Sequence, residues 1–66
     1  MIEVNFYLAS DHVATVSMRQ RVEVGDTIIT GEILYEVIYA NSLSIKYDKE
    51  SNKSHIEQTV NVKIVF

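Results

Sequence analysis

The amino-acid sequence predicts an all-β fold: a small antiparallel barrel or rolled sheet of five to six short strands. Apolar and polar residues alternate with a period of two over most of the 66-residue chain, which is the pattern of strands with one buried face. The chain is also rich in β-branched and aromatic residues, which fit the pleated surface of a sheet. No linker-like stretch interrupts it, and the length predicts a single domain over residues 1–66.

The first two strands form a predicted N-terminal hairpin. The apolar face of the first strand consists of Ile2, Val4, Phe6 and Leu8. Ser10 and Asp11 then predict a turn, because an Asp carboxylate bonds readily to nearby backbone N–H groups. Residues 13–18 alternate again. The adjacent β-branched Thr15 and Val16 favour a strand here over a helix capped by Asp11.

Two glycines mark the turns of the middle segment. Gly25–Asp26 is the sharpest turn signal, because glycine adopts a positive φ without steric cost. It follows the short run Val22–Val24, and the short strand Thr27–Thr30 comes next. Gly31–Glu32 predicts a second turn, which leads into the most apolar stretch, Ile33–Ala40.

The stretch Ile33–Ala40 is apolar on both faces, which predicts a strand covered on both sides. One cover would be the barrel interior, and the other a partner subunit or a neighbouring loop. The first of its faces carries Ile33, Tyr35, Val37 and Tyr39. After a turn at Asn41–Ser42, the segment Leu43–Tyr47 alternates in the manner of a half-buried strand.

The C-terminal third contains a polar loop and a last strand. Residues 48–54 lack apolar side chains and predict a solvated loop. Ser54 and Glu57 match a capping box, so a helical turn within residues 51–58 is left open. The last strand has an apolar face made of Val60, Val62, Ile64 and Phe66. We expect it to pair with the N-terminal strand or with the same strand of a second copy.

A string in the middle of the chain resembles one found in small SH3-like barrel proteins. Residues 22–28 (VEVGDTI), Gly31 and residues 35–37 (YEV) are similar to their pattern V-x-V-G-D-x-I, then G, then Y-E-V. The resemblance implies a turn at Gly25 and a barrel interior filled by Ile28, Tyr35 and Val37. Several such proteins are short phage or prophage proteins, so it also implies a phage protein, and it implies no shared activity.

Composition restricts the classes of function. The net charge of −3 disfavours generic nucleic-acid binding, which needs a basic surface. The absence of cysteine excludes disulfides and thiolate metal sites. The opening segment lacks the continuous apolar core of a secretory signal, and we expect a cytoplasmic protein. A chain this short has a small core, so a homodimer is expected to help stabilise it.

No residue pattern predicts a catalytic, metal or cofactor site, and we expect neither an enzyme nor a cofactor. His12 and His55 each have a carboxylate nearby in sequence. A metal protein or enzyme built on them is the weakest alternative, because zinc sites need three or four convergent ligands. Gly25–Asp26 lacks the further glycines and the Lys-Ser/Thr of a phosphate-binding loop.

The sequence does not determine a function, and the leading hypothesis is a non-catalytic protein–protein interaction module. Its expected contact face is the region of Tyr7, Leu34 and Ile38, because tyrosine is enriched at protein interfaces. Pairing at the edge of the terminal strand is the second expected route. The alternative is a nucleic-acid-binding barrel with stacking tyrosines. Its candidate contacts are Arg19, Arg21, Lys46, Lys49 and Lys53.

Overall fold

A computed structural model describes residues 1–65, which form a curled mixed sheet with the shape of a half-barrel. The strands are β1 (Ile2–Leu8), β2 (Asp11–Met18), β3 (Thr27–Thr30), β4 (Ile33–Ala40), β5 (Ser44–Asp48) and β6 (Lys53–Ile64). The prediction of a small all-β fold with five to six strands is confirmed. The prediction that all strands are antiparallel is wrong, because β1 pairs with β6 in parallel. Within these residues, no helix is long and apolar enough to cross a membrane.

Strand β6 lies at the centre of the sheet, and both of its edges are paired. The strand order is β2-β1-β6-β4-β3, and β5 pairs with the first part of β6. Strand β1 runs parallel to β6 along residues 56–62, whereas the other pairings are antiparallel. The N-terminal strand therefore holds the last strand in place, as predicted. The edge of β6 is not open to a second copy, because β1 lies on one side and β4 and β5 on the other.

The concave face of the half-barrel holds the core. Its buried apolar side chains are Ile2, Val4, Phe6, Val22, Tyr35, Val37, Val60 and Val62. Removal of this surface from water is the main stabilising term in such a fold. The period-two prediction is confirmed for the first strand and for the middle of the last. Ile64 lies at the end of β6 and is half exposed, and Phe66 lies outside the described residues.

A bulge in β4 changes the direction of its second half. Val37 pairs with Val62, but Tyr39 pairs with Asn61, so the register shifts by one residue at Ile38. An extra residue in one strand turns the following side chains over. Tyr39 therefore faces the convex side, and the prediction that it shares a face with Val37 is wrong. Within this chain Ile38 and Tyr39 are exposed, so the second half of β4 is not covered on its convex side.

Strand β5 and the first residues of β6 form a hairpin that extends past the core. The strand is as predicted, but the prediction that it is half-buried is wrong, because all of its residues are exposed. The molecule is elongated as a result, with extents of 40 × 21 × 20 Å. Strand β6 already begins at Lys53, so extended backbone occupies the region in which a helical turn was left open.

Two of the turns follow from the glycine positions. Gly25 has φ of +97°, and the Asp26 N–H donates to the Glu23 carbonyl at 3.0 Å. The Asp26 carboxylate also accepts from the Glu23 N–H at 2.9 Å, which closes the turn from both ends. In the two-residue connection between β3 and β4, Gly31 and Glu32 have φ of +59° and +65°. Two positive φ values are typical of a type I′ hairpin turn.

Candidate functional site

Gln58, on the concave side of β6, ties two loops to the sheet. Its side-chain oxygen accepts from the Val22 N–H at 2.7 Å, and its amide donates to the Val22 carbonyl at 2.8 Å. The same amide donates to the Asn41 carbonyl at 3.2 Å. These bonds offset the cost of burying a polar side chain that is only 2 % exposed. The sequence pattern does not reveal this role, because Gln58 stands where the alternation calls for an apolar residue.

A shallow groove of about 230 Å³ lies between the loops that Gln58 joins. It is lined by Arg21, Val22, Glu23, Val24, Ala40, Asn41, Ser42 and Gln58. In the described residues, no buried side-chain nitrogen or oxygen lacks a hydrogen-bond partner. The groove therefore presents exposed polar groups and the exposed side chain of Val24 to a ligand. This lining does not favour one class of ligand over another.

The convex face carries a small polar cluster around His12. The Thr15 hydroxyl donates to the Asn5 side-chain oxygen at 2.7 Å, so the His12 Nε2–H donates to the Thr15 oxygen at 2.8 Å. The His12 ring also meets the Tyr7 ring edge to face, with ring centres 5.4 Å apart. His12 is thus held by neighbours on the β1–β2 hairpin.

The second histidine lies between two carboxylates. His55 Nε2 is 3.7 Å from a Glu57 oxygen and 3.9 Å from a Glu3 oxygen, and all three side chains are partly exposed. Glu57 is the carboxylate that lies near His55 in the sequence, and Glu3 comes from the neighbouring strand β1. Such contacts between solvated groups contribute little to stability.

The structure does not bring the two histidines together. His12 lies opposite Tyr7 near the end of β1, while His55 precedes Ile56, which pairs with Ile2 at the start of β1. Among residues 1–65, no group of three or more His, Cys, Asp or Glu side chains is placed to hold a metal ion. The described residues therefore do not supply a set of metal ligands for the alternative of a metal protein or enzyme built on the histidines.

The five basic residues that were candidates for nucleic-acid contact fall into two groups. Lys46, Lys49 and Lys53 share the β5–β6 hairpin, on which Tyr47 is also exposed. Arg19 and Arg21 follow β2, which is separated from that hairpin by β1 in the sheet order. Acidic residues are interleaved with both groups, as the sequence predicts. Within residues 1–65, each basic group is therefore mixed with carboxylates.

The three residues of the predicted contact face lie on or near the convex side. Tyr7 and Leu34 are half-buried and Ile38 is half exposed at the β4 bulge. Tyr7 pairs with Asn61, and the N–H of Val65 donates to the Leu34 carbonyl. Tyr7 and Leu34 thus lie on opposite sides of β6, and their partners Asn61 and Val65 are four residues apart, or about 13 Å along the strand direction. The contact face at these residues stays a prediction.

A group of exposed apolar side chains lies elsewhere, on the concave side of the β5–β6 hairpin. We call it the hairpin surface, and its residues are Leu43, Ile45, Tyr47 and Ile56. Ile45 pairs directly with Ile56 and is 76 % exposed. Ile56 in turn pairs with Ile2, and Ile2 with Met18, so an apolar row crosses four strands. Ile2 in this row is buried in the core, whereas Ile45 at the β5 end is exposed.

The sequence signal for the hairpin surface is the alternation of residues 43–47. That alternation indicates a strand with one apolar face, and the strand exists. It does not reveal whether the same chain supplies the cover. In the structure the polar residues of β5 face the convex side, with Ser44 opposite Glu57 and Lys46 opposite His55. The apolar face remains uncovered because no other element of the described chain extends as far.

The turn of the β5–β6 hairpin holds Asp48 in its charged form. The Asp48 carboxylate accepts hydrogen bonds from the Glu50 N–H and from the Ser51 hydroxyl, both at 3.0 Å. The Glu50 bond and then the Ser51 bond lower the pKa of Asp48 below its ordinary value of 3.8. The Tyr47 hydroxyl also donates to the Asn52 side chain. These contacts order the tip of the hairpin beside the hairpin surface.

Comparisons with protein-family models, with curated proteins and with solved structures found no match to this chain. The resemblance to small SH3-like barrels therefore stays a prediction based on the string around Gly25. A function has to be argued from the geometry of the surface itself.

Proposed function

We propose that this chain is a non-catalytic interaction module of the cytoplasm that binds another protein through the hairpin surface. The observation that carries the proposal is the position of Ile45. Its side chain is 76 % exposed on a strand whose polar residues all face the other way. A strand with this alternation normally has its apolar face covered.

The size of the exposed apolar set supports a protein as the occupant. Four large apolar or aromatic side chains lie together, and the open row is continuous with the core through Ile56 and Ile2. Contiguous apolar patches on small proteins mark interaction sites, whereas single exposed apolar residues do not. Tyr47 adds a large flat ring with a polar tip, a combination that is enriched at interfaces.

The charged residues of β5 lie on the face opposite the hairpin surface. Lys46 pairs with His55 and Asp48 with Lys53, and these side chains face the convex side. A partner surface with an apolar centre fits this arrangement, because the core of an interface is depleted in charged residues. We therefore propose a protein partner with an apolar contact patch.

The test compares two lysine substitutions on opposite faces of the same strand. Ile45→Lys places a charge in the hairpin surface, and Ser44→Lys places the same charge on the convex side. Proteins that the wild-type chain captures from a lysate of its source cell are identified and purified. Each is then titrated against the wild type, Ile45→Lys and Ser44→Lys. A genuine partner binds the wild type and Ser44→Lys with similar affinity and binds Ile45→Lys at least about tenfold more weakly. If every binder tolerates Ile45→Lys, or if no protein binds, the proposal is rejected.

A further inference from the structure

One row of side chains crosses the convex face from β2 to β4 and consists of three aromatic residues and one amide. His12 pairs with Tyr7. Asn61 pairs with Tyr7 on one side and with Tyr39 on the other. Because directly paired residues share a face of the sheet, the four side chains form a line across adjacent strands, about 14 Å long. We call this line the convex row.

Bulges in β2 and β4 set the two ends of the convex row. Regular pairing of β2 would place Val13 in the row, but the bulge leaves Val13 out of the register and brings His12 there. Regular pairing of β4 would place Ile38 in the row, but the bulge brings Tyr39 there. Bulges are common beside functional sites, where they re-aim a side chain. Here two separate bulges at one level of the sheet each replace an aliphatic side chain with a ring that carries a polar atom.

The convex row presents hydrogen-bonding groups that residues 1–65 leave free. Asn61 forms no side-chain hydrogen bond within these residues, so its amide offers a donor and an acceptor. His12 donates to Thr15 through Nε2–H, which leaves Nδ1 of the neutral ring as an acceptor. The edge contact with Tyr7 helps to hold the His12 ring in place. Tyr39 is 56 % exposed and adds a second tyrosine ring.

The surroundings of the convex row carry no uncompensated charge. On one side, the next row consists of the uncharged residues Thr15, Asn5 and Thr59. On the other side, Lys63 and Glu36 lie 3.7 Å apart and offset each other. Asp11 is next to His12 in the chain but pairs with Leu8, whose side chain packs against the core on the concave side. A charged ligand therefore gains no opposite charge at the row.

From these observations we propose that the convex row binds an uncharged saccharide. A sugar ring has a face of C–H groups, which packs against aromatic rings such as those of Tyr7 and Tyr39. Its neighbouring hydroxyl groups each donate and accept, so they match the Asn61 amide and the His12 Nδ1 atom. A length of about 14 Å accommodates a short oligosaccharide. The proposal goes beyond the binding of a protein, since the hairpin surface lies on the concave side.

NMR titration of the isotope-labelled intact chain is the first test. The probes are cellohexaose, maltohexaose, mannohexaose and chitohexaose, each at up to about 10 mM, because a single open site binds weakly. At least one probe should shift the backbone signals of Tyr7, Asn61 and Tyr39 in a saturable manner. If no probe does so, or if the saturable shifts lie only on the concave face, the proposal is overturned.

Two tyrosine variants provide a matched comparison. Tyr39 and Tyr47 are 56 % and 59 % exposed, and they lie on opposite faces of the sheet. Tyr39→Ala should weaken binding of the oligosaccharide about three- to tenfold, because it removes a ring from the row. Tyr47→Ala should leave this binding unchanged. Since both side chains are exposed, both variants are expected to fold. Equal effects of the two variants would count against the convex row as the site.

The polar groups of the row are tested by Asn61→Ala. The Asn61 amide forms no hydrogen bond within residues 1–65, so its loss should weaken oligosaccharide binding several-fold while the spectrum of the free protein keeps the signal pattern of the fold. Undiminished binding by this variant would reject the proposed hydrogen bond to a sugar hydroxyl.

Adenosine is the competing probe, because its base also stacks on tyrosine. At equal concentration it should shift the signals of the convex row less than the best oligosaccharide does, and a larger effect would overturn the assignment to a saccharide. Ile45→Lys, which charges the hairpin surface, should leave saccharide binding intact. A failure of the partner-binding proposal is therefore separable from a failure of this one.

Discussion

The side chain of Gln58 and the backbone of Val22 are joined by two reciprocal hydrogen bonds, of 2.7 and 2.8 Å. This is the pattern that two paired strands would make, but one partner is a side-chain amide. It allows the segment after β2 to close the concave face without becoming a strand. Val22 can then bury its own side chain, which is 2 % exposed.

The first prediction concerns this pairing. Gln58→Leu keeps a side chain of similar size but leaves the N–H and C=O of Val22 and the Asn41 carbonyl without a partner. Unpaired buried polar groups cost about 1–3 kcal/mol each. We expect a loss of about 3 kcal/mol in the free energy of unfolding, measured by urea denaturation. This is close to the whole net stability of a chain of this size, roughly 3–5 kcal/mol.

Gln20 provides the matched control for that change. It is exposed, and Gln20→Leu should change the free energy of unfolding by less than about 0.5 kcal/mol. If Gln58→Leu proves as mild as Gln20→Leu, the two loops are not held by the Gln58 amide.

The second prediction concerns the β3–β4 turn, where two neighbouring substitutions should act in opposite directions. Gly31 and Glu32 both have positive φ, a region in which glycine is unstrained and other residues are not. Gly31→Ala should destabilise the protein by about 1 kcal/mol, and Glu32→Gly should stabilise it by a few tenths to about 1 kcal/mol. Thermal unfolding of both variants measures this. Shifts of the same sign would contradict the turn geometry.

The third prediction concerns acid titration of the hairpin tip. The pKa of Asp48 is lower in the folded chain than its ordinary value of 3.8, because its carboxylate accepts from the Glu50 N–H and the Ser51 hydroxyl. The stabilisation is therefore fully present above the unfolded pKa and is lost as the pH falls through the folded one. The Glu50 amide signal in NMR should titrate with a midpoint below 3.8.

Asp48→Asn is the control for the acid titration. An amide in place of the carboxylate cannot titrate, so the Glu50 amide signal should lose its acid transition in that variant. A transition that survives the substitution would have to be assigned to another carboxyl group.

The fourth prediction concerns nucleic acids. The net charge is −3, and the two basic groups are separated in the sheet and mixed with carboxylates. We expect no binding of single- or double-stranded oligonucleotides in fluorescence anisotropy, even at about 20 mM salt, at which phosphate contacts are strongest. Binding that weakens steeply with added salt, and that is lost when Lys46, Lys49 and Lys53 are replaced, would revive the alternative of a nucleic-acid-binding barrel.

The strands could be predicted because burial in a sheet follows a period of two. Val4, Phe6, Val60 and Val62 are apolar at alternate positions, and all four are buried. The turns at Gly25 and Gly31 could also be predicted from the local sequence, because glycine adopts a positive φ without steric cost. Both glycines have a positive φ in the structure. Neither inference needs knowledge of which strands are neighbours.

The parts that escape prediction depend on neighbours. The register shift at Ile38 turns the Tyr39 side chain to the convex side. The alternation of apolar and polar residues in the sequence gives no sign of this bulge. The exposure of Ile45 follows from the length of β6 beyond the core, which residues 43–47 do not encode. The role of Gln58 depends on a loop that is 36 residues distant in sequence. The contact face predicted at Tyr7, Leu34 and Ile38 stays a prediction.

The parallel pairing of β1 with β6 bears on how the chain acquires its structure. The first strand finds one of its two neighbours only in the last, with Ile2 opposite Ile56, so the hydrophobic interior is assembled from both ends of the chain. This slows folding, because the entropy cost of closing so large a loop comes before the favourable contacts that the closure allows. Until β6 pairs with β1, the apolar side of the β1–β2 hairpin stays uncovered. Partly folded chains should therefore aggregate more readily than the native fold.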